Sequence, residues 1–197
     1  DTKVYHPMDQ GMARELLGLP SGKRLLLFGA LNVTDKRKGI DYLIEALRRM
    51  EKQDVELVVF GQVKDDIRGL FPVPIHSMGY LSDESKIVAL YNAVDMFITS
   101  SLEENLPNTI MESMACGTPC VGFEIGGIPE MIDHRVNGYV ANYKDAGDLA
   151  NGIQWVLEHE DRLALSDACV KKVQENYTEE VVAKQYTALY EKLLKGE

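Results

Sequence analysis

The chain has 197 residues, 45% hydrophobic and 26% charged, which suits one domain with a sizeable core. Its net charge of -10, from 21 Lys and Arg against 31 Asp and Glu, argues against wrapping a nucleic acid, which needs a basic face. Three cysteines with no C-x-x-C pair point away from a disulfide framework or a zinc cage, and no apolar run approaches the roughly 20 residues of a membrane span.

The start, DTKVYHPMDQ, lacks a signal pattern, so a cytoplasmic protein is expected. The first apolar run, RLLLFG (24–29), reads as a strand. After Gly39, Ile40, Leu43, Ile44 and Leu47 recur at helical steps opposite Arg48 and Arg49. VELVVFG (55–61) and PIHSMG (74–79) read as further strands. Ser82-Asp83-Glu84-Ser85 resembles a capping box opening a helix that turns Ile87, Leu90 and Tyr91 inward. A fourth strand, DMFITS (95–100), leads to a helix from about Pro107 to Ala115 that stops at Gly117. PCVGF (119–123) and GYVA (138–141) complete about six strands, and the chain beyond Asp145 reads as helical. Near-continuous apolar strands suit a parallel sheet covered on both faces. The alternation predicts a doubly wound, Rossmann-like α/β fold spanning residues 1–197 as a single domain.

Such sheets bind ligands at the carboxyl ends of their strands, where the winding reverses. Candidate residues therefore lie in the loops after the strands. GALNVTDKRKG (29–39) is neither a Walker loop nor G-x-G-x-x-G, but its Gly29 ends a strand and its Arg37-Lys38-Gly39 precedes a helix, which places two cations where sheet-end ligands bind. A guanidinium fork and a mobile ammonium together suit a diphosphate, though alone the run also reads as a solvated turn. In SSLEENLPNTIMESMACGTP (100–119), Pro107 suits the first turn of a helix. The amides of Asn108, Thr109 and Ile110 would then offer an anion seat. Glu104 precedes that helix start and Glu112 lies one turn in. Carboxylates accept hydrogen bonds from vicinal hydroxyls, and the spacing suits two binding roles better than a glycosidase pair. GGIPE (126–130) reads either as a close backbone approach to a ligand or as tight-turn packing. The cysteines read as small buried hydrophobes, and the four histidines lack metal spacing.

SLEENLPNTIMESMACGTPCV resembles the donor-site signature E-x(7)-E followed by A-[CG]-G-x-P-V of retaining family 4 glycosyltransferases, enzymes of the GT-B fold. KRKGIDYLIEAL, VELVVFG, MGYLSDESKIVALYNAVDMFITSS and EIGGIPEMIDHRVNGYVA are similar to flanking segments, so the resemblance covers nearly the whole chain. It implies a C-terminal donor-binding half, with the N-terminal acceptor half absent. It also implies a nucleoside diphosphate sugar as partner, a saccharide or lipid-linked acceptor, a role in cell-surface polysaccharide synthesis, and neither metal nor cofactor.

By resemblance, Glu112 would hold the ribose and Glu104 the transferred sugar, while Lys38 and the helix amides hold the diphosphate. Glu104, Lys38 and Arg37 are the candidate catalytic residues. Gly29, Tyr80, Asn105, Leu106, Pro107, Asn108, Thr109, Ile110 and Glu112 are the candidate substrate contacts. The family's arginine after the first-strand glycine is here Ala30, and the commoner E-G-F-G is Glu104-Asn105-Leu106-Pro107. The isolated half is expected to bind donor without turnover. The alternatives are half of a sugar-nucleotide epimerase or a non-enzymatic nucleotide-binding module.

Overall fold

The apolar runs form strands whose alternate side chains enter two separate cores. A computed structural model, describing residues 1–32, 35–50, 54–62 and 68–195, places six strands in one parallel sheet. They are β1 (Arg24–Asn32), β2 (Val55–Gln62), β3 (Ile75–Gly79), β4 (Met96–Thr99), β5 (Cys120–Phe123) and β6 (Gly138–Ala141). The order is β3-β2-β1-β4-β5-β6. Leu26 and Phe28 of β1 pack with Leu43 and Leu47 of α2 (Ile40–Arg49) and Leu149 and Ile153 of α6 (Ala146–Leu157). Leu25 and Leu27 face a second core with α3 (Glu84–Ala93), α4 (Asn108–Ala115), α5 (Ile128–Met131) and α7 (Arg162–Asn176). Both faces are covered, as continuous apolar strands require. The winding reverses between β1 and β4, so the loops after these two strands flank the switch point.

Three local details differ from the sequence expectation. The helix α1 (Gln10–Leu17) is additional to the elements expected from sequence; Asp9 caps its start and Gly18, at φ 65°, ends it in the left-handed region. Its Arg14 is buried and donates to Asp95 at 3.1 Å, while Asp95 also accepts from Leu25 N and from Arg162. That charge cluster fastens α1 and α7 to the amino end of β4, opposite the switch-point loops. Secondly, α3 is capped by Asp83, which accepts from the Ser85 amide, and not by a box opening at Ser82. Lastly, the C-terminal helical region is divided into α6, α7 and α8 (Glu179–Lys195). No residue of α8 is buried, and Tyr186, Leu189, Tyr190, Leu193 and Leu194 are exposed along it.

Candidate functional site

The loop after β1 closes on a short 3-10 turn, Lys36–Lys38, led by Asp35. Residues 33–34 of this loop, residues 63–67 after β2 and the side chain of Ala30 lie outside the described residues. Gly39 follows the turn at φ 61°, and a Cβ there would stand 1.9 Å from the Ser100 carbonyl oxygen. This close approach joins the β1 loop to the start of the β4 loop. Ser100 Oγ donates to Lys38 O at 2.9 Å, and Leu102 N donates to Arg37 O at 2.7 Å.

Held in this way, Lys38 reaches Glu104, with Nζ and Oε1 2.5 Å apart and side chains 31% and 15% exposed. Two residues that sit 66 positions apart in sequence thus meet at the switch point. Arg37 behaves differently. Its guanidinium donates to Asp35 from Nε and Nη2, the latter at 2.7 Å, and its side chain is 67% exposed. The Arg37 hydrogen bonds hold the Asp35 carboxyl down at about 2. The basic pair read from the sequence is therefore divided, one cation on Glu104 and the other on its own turn.

The acidic loop is supported from its other side by Gly126 and Gly127. Gly127 N donates to Asn105 O at 2.5 Å, and a Cβ on Gly126, at φ 54°, would lie 2.1 Å from Glu104 O. Of the two sequence readings of GGIPE, tight packing accounts for these glycines. Tyr143, on the loop after β6, adds a hydrogen bond from its hydroxyl to Leu102 O at 3.0 Å. Sequence reasoning missed Tyr143 and Ser100, since neither carries a motif and both act on a main chain that is distant in sequence.

Pro107 occupies the position before the first residue of α4 and supplies no side-chain cap. Ile110 N donates to Pro107 O at 3.0 Å, which removes it from the expected anion seat. Among the described residues, the amides of Asn108 and Thr109 have no such partner, so two donors, rather than three, remain at the helix start. Asn108, Asn105 and Leu106 are exposed, as is Tyr80 after β3, where Gly79 turns the chain at φ 63°. Gly29 is confined by packing, because a Cβ there would fall 1.9 Å from the Phe60 ring.

Glu112, half-buried on α4, accepts from the Tyr91 hydroxyl at 2.9 Å. Burial raises its pKa, the Tyr91 hydrogen bond opposes that rise, and Glu84 adds to it. A carboxyl with a raised folded-state pKa favours folding most below its unfolded value and loses that contribution as pH rises through the folded value. Ionised Glu112 therefore works against the fold at neutral pH. Glu112→Gln is expected to raise Tm at pH 7 by less than about 2 °C, because partial exposure screens the charge. Thermal melts at pH 7 check this, and a fall in Tm would contradict the assignment.

All three cysteines are buried, and burial pushes the thiols of Cys116 and Cys120 up to about 12. They are packing residues, as read from sequence. Among the described residues, no group of three or more His, Cys, Asp or Glu is arranged to hold a metal ion, and no helix is long and apolar enough to cross a membrane.

A family model described as glycosyl transferases group 1 matches residues 22–159. The chain is 24% identical over 203 residues to N-acetyl-alpha-D-glucosaminyl L-malate synthase of Bacillus anthracis, covering 100% of this chain and 53% of that protein. It superposes on the structure of Anabaena HepE in complex with UDP-glucose with TM-score 0.79 and 21% identity, covering 97% of this chain and 55% of that one. A third similarity is to the C-terminal domain of a glycosyl transferase group 1 family protein from Francisella tularensis. There the TM-score is 0.75 and the identity 21%, over 91% of this chain and 98% of that domain. The chain thus spans about half the length of the curated relatives it matches.

Proposed function

The chain belongs to the glycosyl transferases group 1 family, and on that premise we propose that it is the donor-binding half of a glycosyltransferase, taking a nucleoside diphosphate sugar. The observation that carries this reading is the Lys38–Glu104 pair, held by two loops at the switch point and followed by the open amides of α4. A pyrophosphate seated there would meet the Lys38 ammonium, the Asn108 and Thr109 amides and the positive end of the α4 dipole. Glu104 would accept hydroxyls of the transferred sugar, and Glu112 those of the ribose.

As the bond from sugar to diphosphate breaks, negative charge grows on the departing phosphate oxygen. Donors already fixed in place stabilise that charge without reorganising, and they accelerate the step to the extent that they bind it more tightly than the intact donor. Retention of configuration, a saccharide or lipid-linked acceptor and a role in cell-surface polysaccharide synthesis complete the proposal. The acceptor would dock on a further domain, so this chain alone would bind donor and transfer nothing, with no metal or cofactor.

Calorimetric titration of the chain with UDP, GDP and their glucose and mannose conjugates tests the reading. Saturable binding of at least one nucleoside diphosphate is expected, with no sugar released or moved to water or saccharide. Failure of every nucleotide to bind would remove the donor assignment, and transfer by the chain alone would remove the half-enzyme assignment. Epimerised donor in the product mixture would identify an isomerase instead.

A further inference from the structure

We propose that Tyr91 is a positioning residue for the donor ribose, acting through the carboxylate of Glu112. The inference rests on the donor-binding reading above and concerns a side chain that would touch no ligand. Tyr91 lies on the inner face of α3, 1% exposed, with its ring enclosed by three other aromatic rings. Phe97 and Phe60 meet it edge-on at centroid distances of 6.1 and 6.3 Å, and Tyr5 lies at 6.4 Å. Phe60 is half-buried, and its ring fills the space beside Gly29 where a Cβ would have stood. Thr118 Oγ1 donates to the Tyr91 main-chain carbonyl at 2.8 Å, which holds the backbone that carries the ring. The ring therefore has little freedom, and its hydroxyl has one direction in which to point.

That direction is Glu112 Oε2, 2.9 Å away. A phenol buried this deeply must find an acceptor, since leaving its O–H unpaired is costly. Burial and the nearby Glu112 charge hold Tyr91 well above its ordinary pKa, so it remains a donor at any pH the protein meets. A carboxylate offers about four lone-pair positions, and Tyr91 uses one. Among the described residues no other hydrogen bond to Glu112 side-chain oxygens is recorded, which leaves Oε1 and the second position on Oε2 for a vicinal diol. Without the phenol, the Glu112 side chain would sample several rotamers, and the diol would have to select one of them. Gly29, Phe60, Tyr91 and Glu112 thus form a packed series from the carboxyl half of β1 to the first turns of α4. It gives Gly29, expected from sequence to touch substrate, an indirect role in the same site.

Tyr91→Phe keeps the ring and removes only the hydroxyl. Titrations with UDP, with GDP where that binds more tightly, and with inorganic pyrophosphate separate the contributions. The nucleotide is expected to bind about 5- to 10-fold more weakly, less than the roughly tenfold or more of a direct hydrogen bond to a charged group, because Tyr91 acts only through Glu112. Pyrophosphate, which has no ribose, is expected to bind unchanged, and Tyr91→Phe is expected to have no further effect in a Glu112→Ala background. Equal weakening of nucleotide and pyrophosphate would overturn the proposal, as would an undiminished effect in that background. Where Glu112→Ala weakens the nucleotide and Tyr91→Phe does not, this inference alone fails. Where Glu112→Ala has no effect either, the ribose assignment beneath it fails. If Tyr91→Phe does not fold, Phe60→Leu, which loosens the ring from its other side, is expected to give a smaller loss with the same dependence on Glu112 and the same indifference to pyrophosphate, and its absence would overturn the proposal.

Discussion

Lys38→Ala is expected to weaken binding of UDP or GDP by about 10- to 100-fold, whereas Arg37→Ala changes it by less than about threefold. A hydrogen bond to a charged phosphate contributes roughly 1.5–3 kcal/mol, and each 1.4 kcal/mol is a factor of ten in affinity. Lys38 is placed to supply such a bond because its main chain is tied to the β4 loop and its ammonium already lies beside Glu104. Arg37 adjoins it in sequence, but its guanidinium is engaged by Asp35 and its side chain is mostly exposed. Removing an exposed ion pair of that kind alters binding little. Lys38→Ala also leaves Glu104 without its partner, so a small fall in Tm accompanies the larger fall in affinity. Calorimetry of both variants with the same nucleotide decides the matter. Comparable losses from the two would mean that the phosphate recognises the whole basic run, and no loss from Lys38→Ala would place the diphosphate elsewhere.

That contrast marks the limit of what the sequence reveals. The strands were legible because each is a short apolar run closed by a turn residue, and the two-sided burial follows from runs such as Leu25-Leu26-Leu27-Phe28. Glu104, Lys38 and the start of α4 were legible because switch-point loops have a defined place in a doubly wound sheet. Sequence could not divide Arg37 from Lys38, since their separation depends on the short 3-10 turn that points one side chain back at Asp35. Nor could it show that Ile110 spends its amide on Pro107, because that depends on the geometry of a single helical turn. The support of the acidic loop by Gly126, Gly127 and Tyr143 escaped for a related reason. It consists of contacts made onto main-chain carbonyls by segments some 20 to 40 positions away, and no side-chain pattern in the acidic loop signals them.

Gly39→Ala is expected to be among the most damaging single methyls added near the site, lowering stability by about 2–4 kcal/mol and Tm by roughly 5–15 °C. Two costs combine. At φ 61° an L-residue pays about 1–2 kcal/mol for the left-handed conformation. The added methyl would also fall 1.9 Å from the Ser100 carbonyl oxygen, which is backbone and cannot rotate away as a side chain can. Relief requires the β1 and β4 loops to part, and with them the bonds from Ser100 Oγ to Lys38 O and from Leu102 N to Arg37 O. Gly18→Ala is the matched control, since Gly18 has φ 65° and nothing within 4 Å of its Cβ position. It incurs the conformational cost alone, about 1–2 kcal/mol. The difference in Tm between the two variants therefore measures the loop-to-loop contact at the switch point. Because Lys38 and Glu104 stand on those same loops, Gly39→Ala is also expected to lose nucleotide affinity at temperatures where it is still folded, and Gly18→Ala to retain it. Equal melting temperatures and equal affinities in the two variants would show that the loops can separate freely and that the site does not depend on their contact.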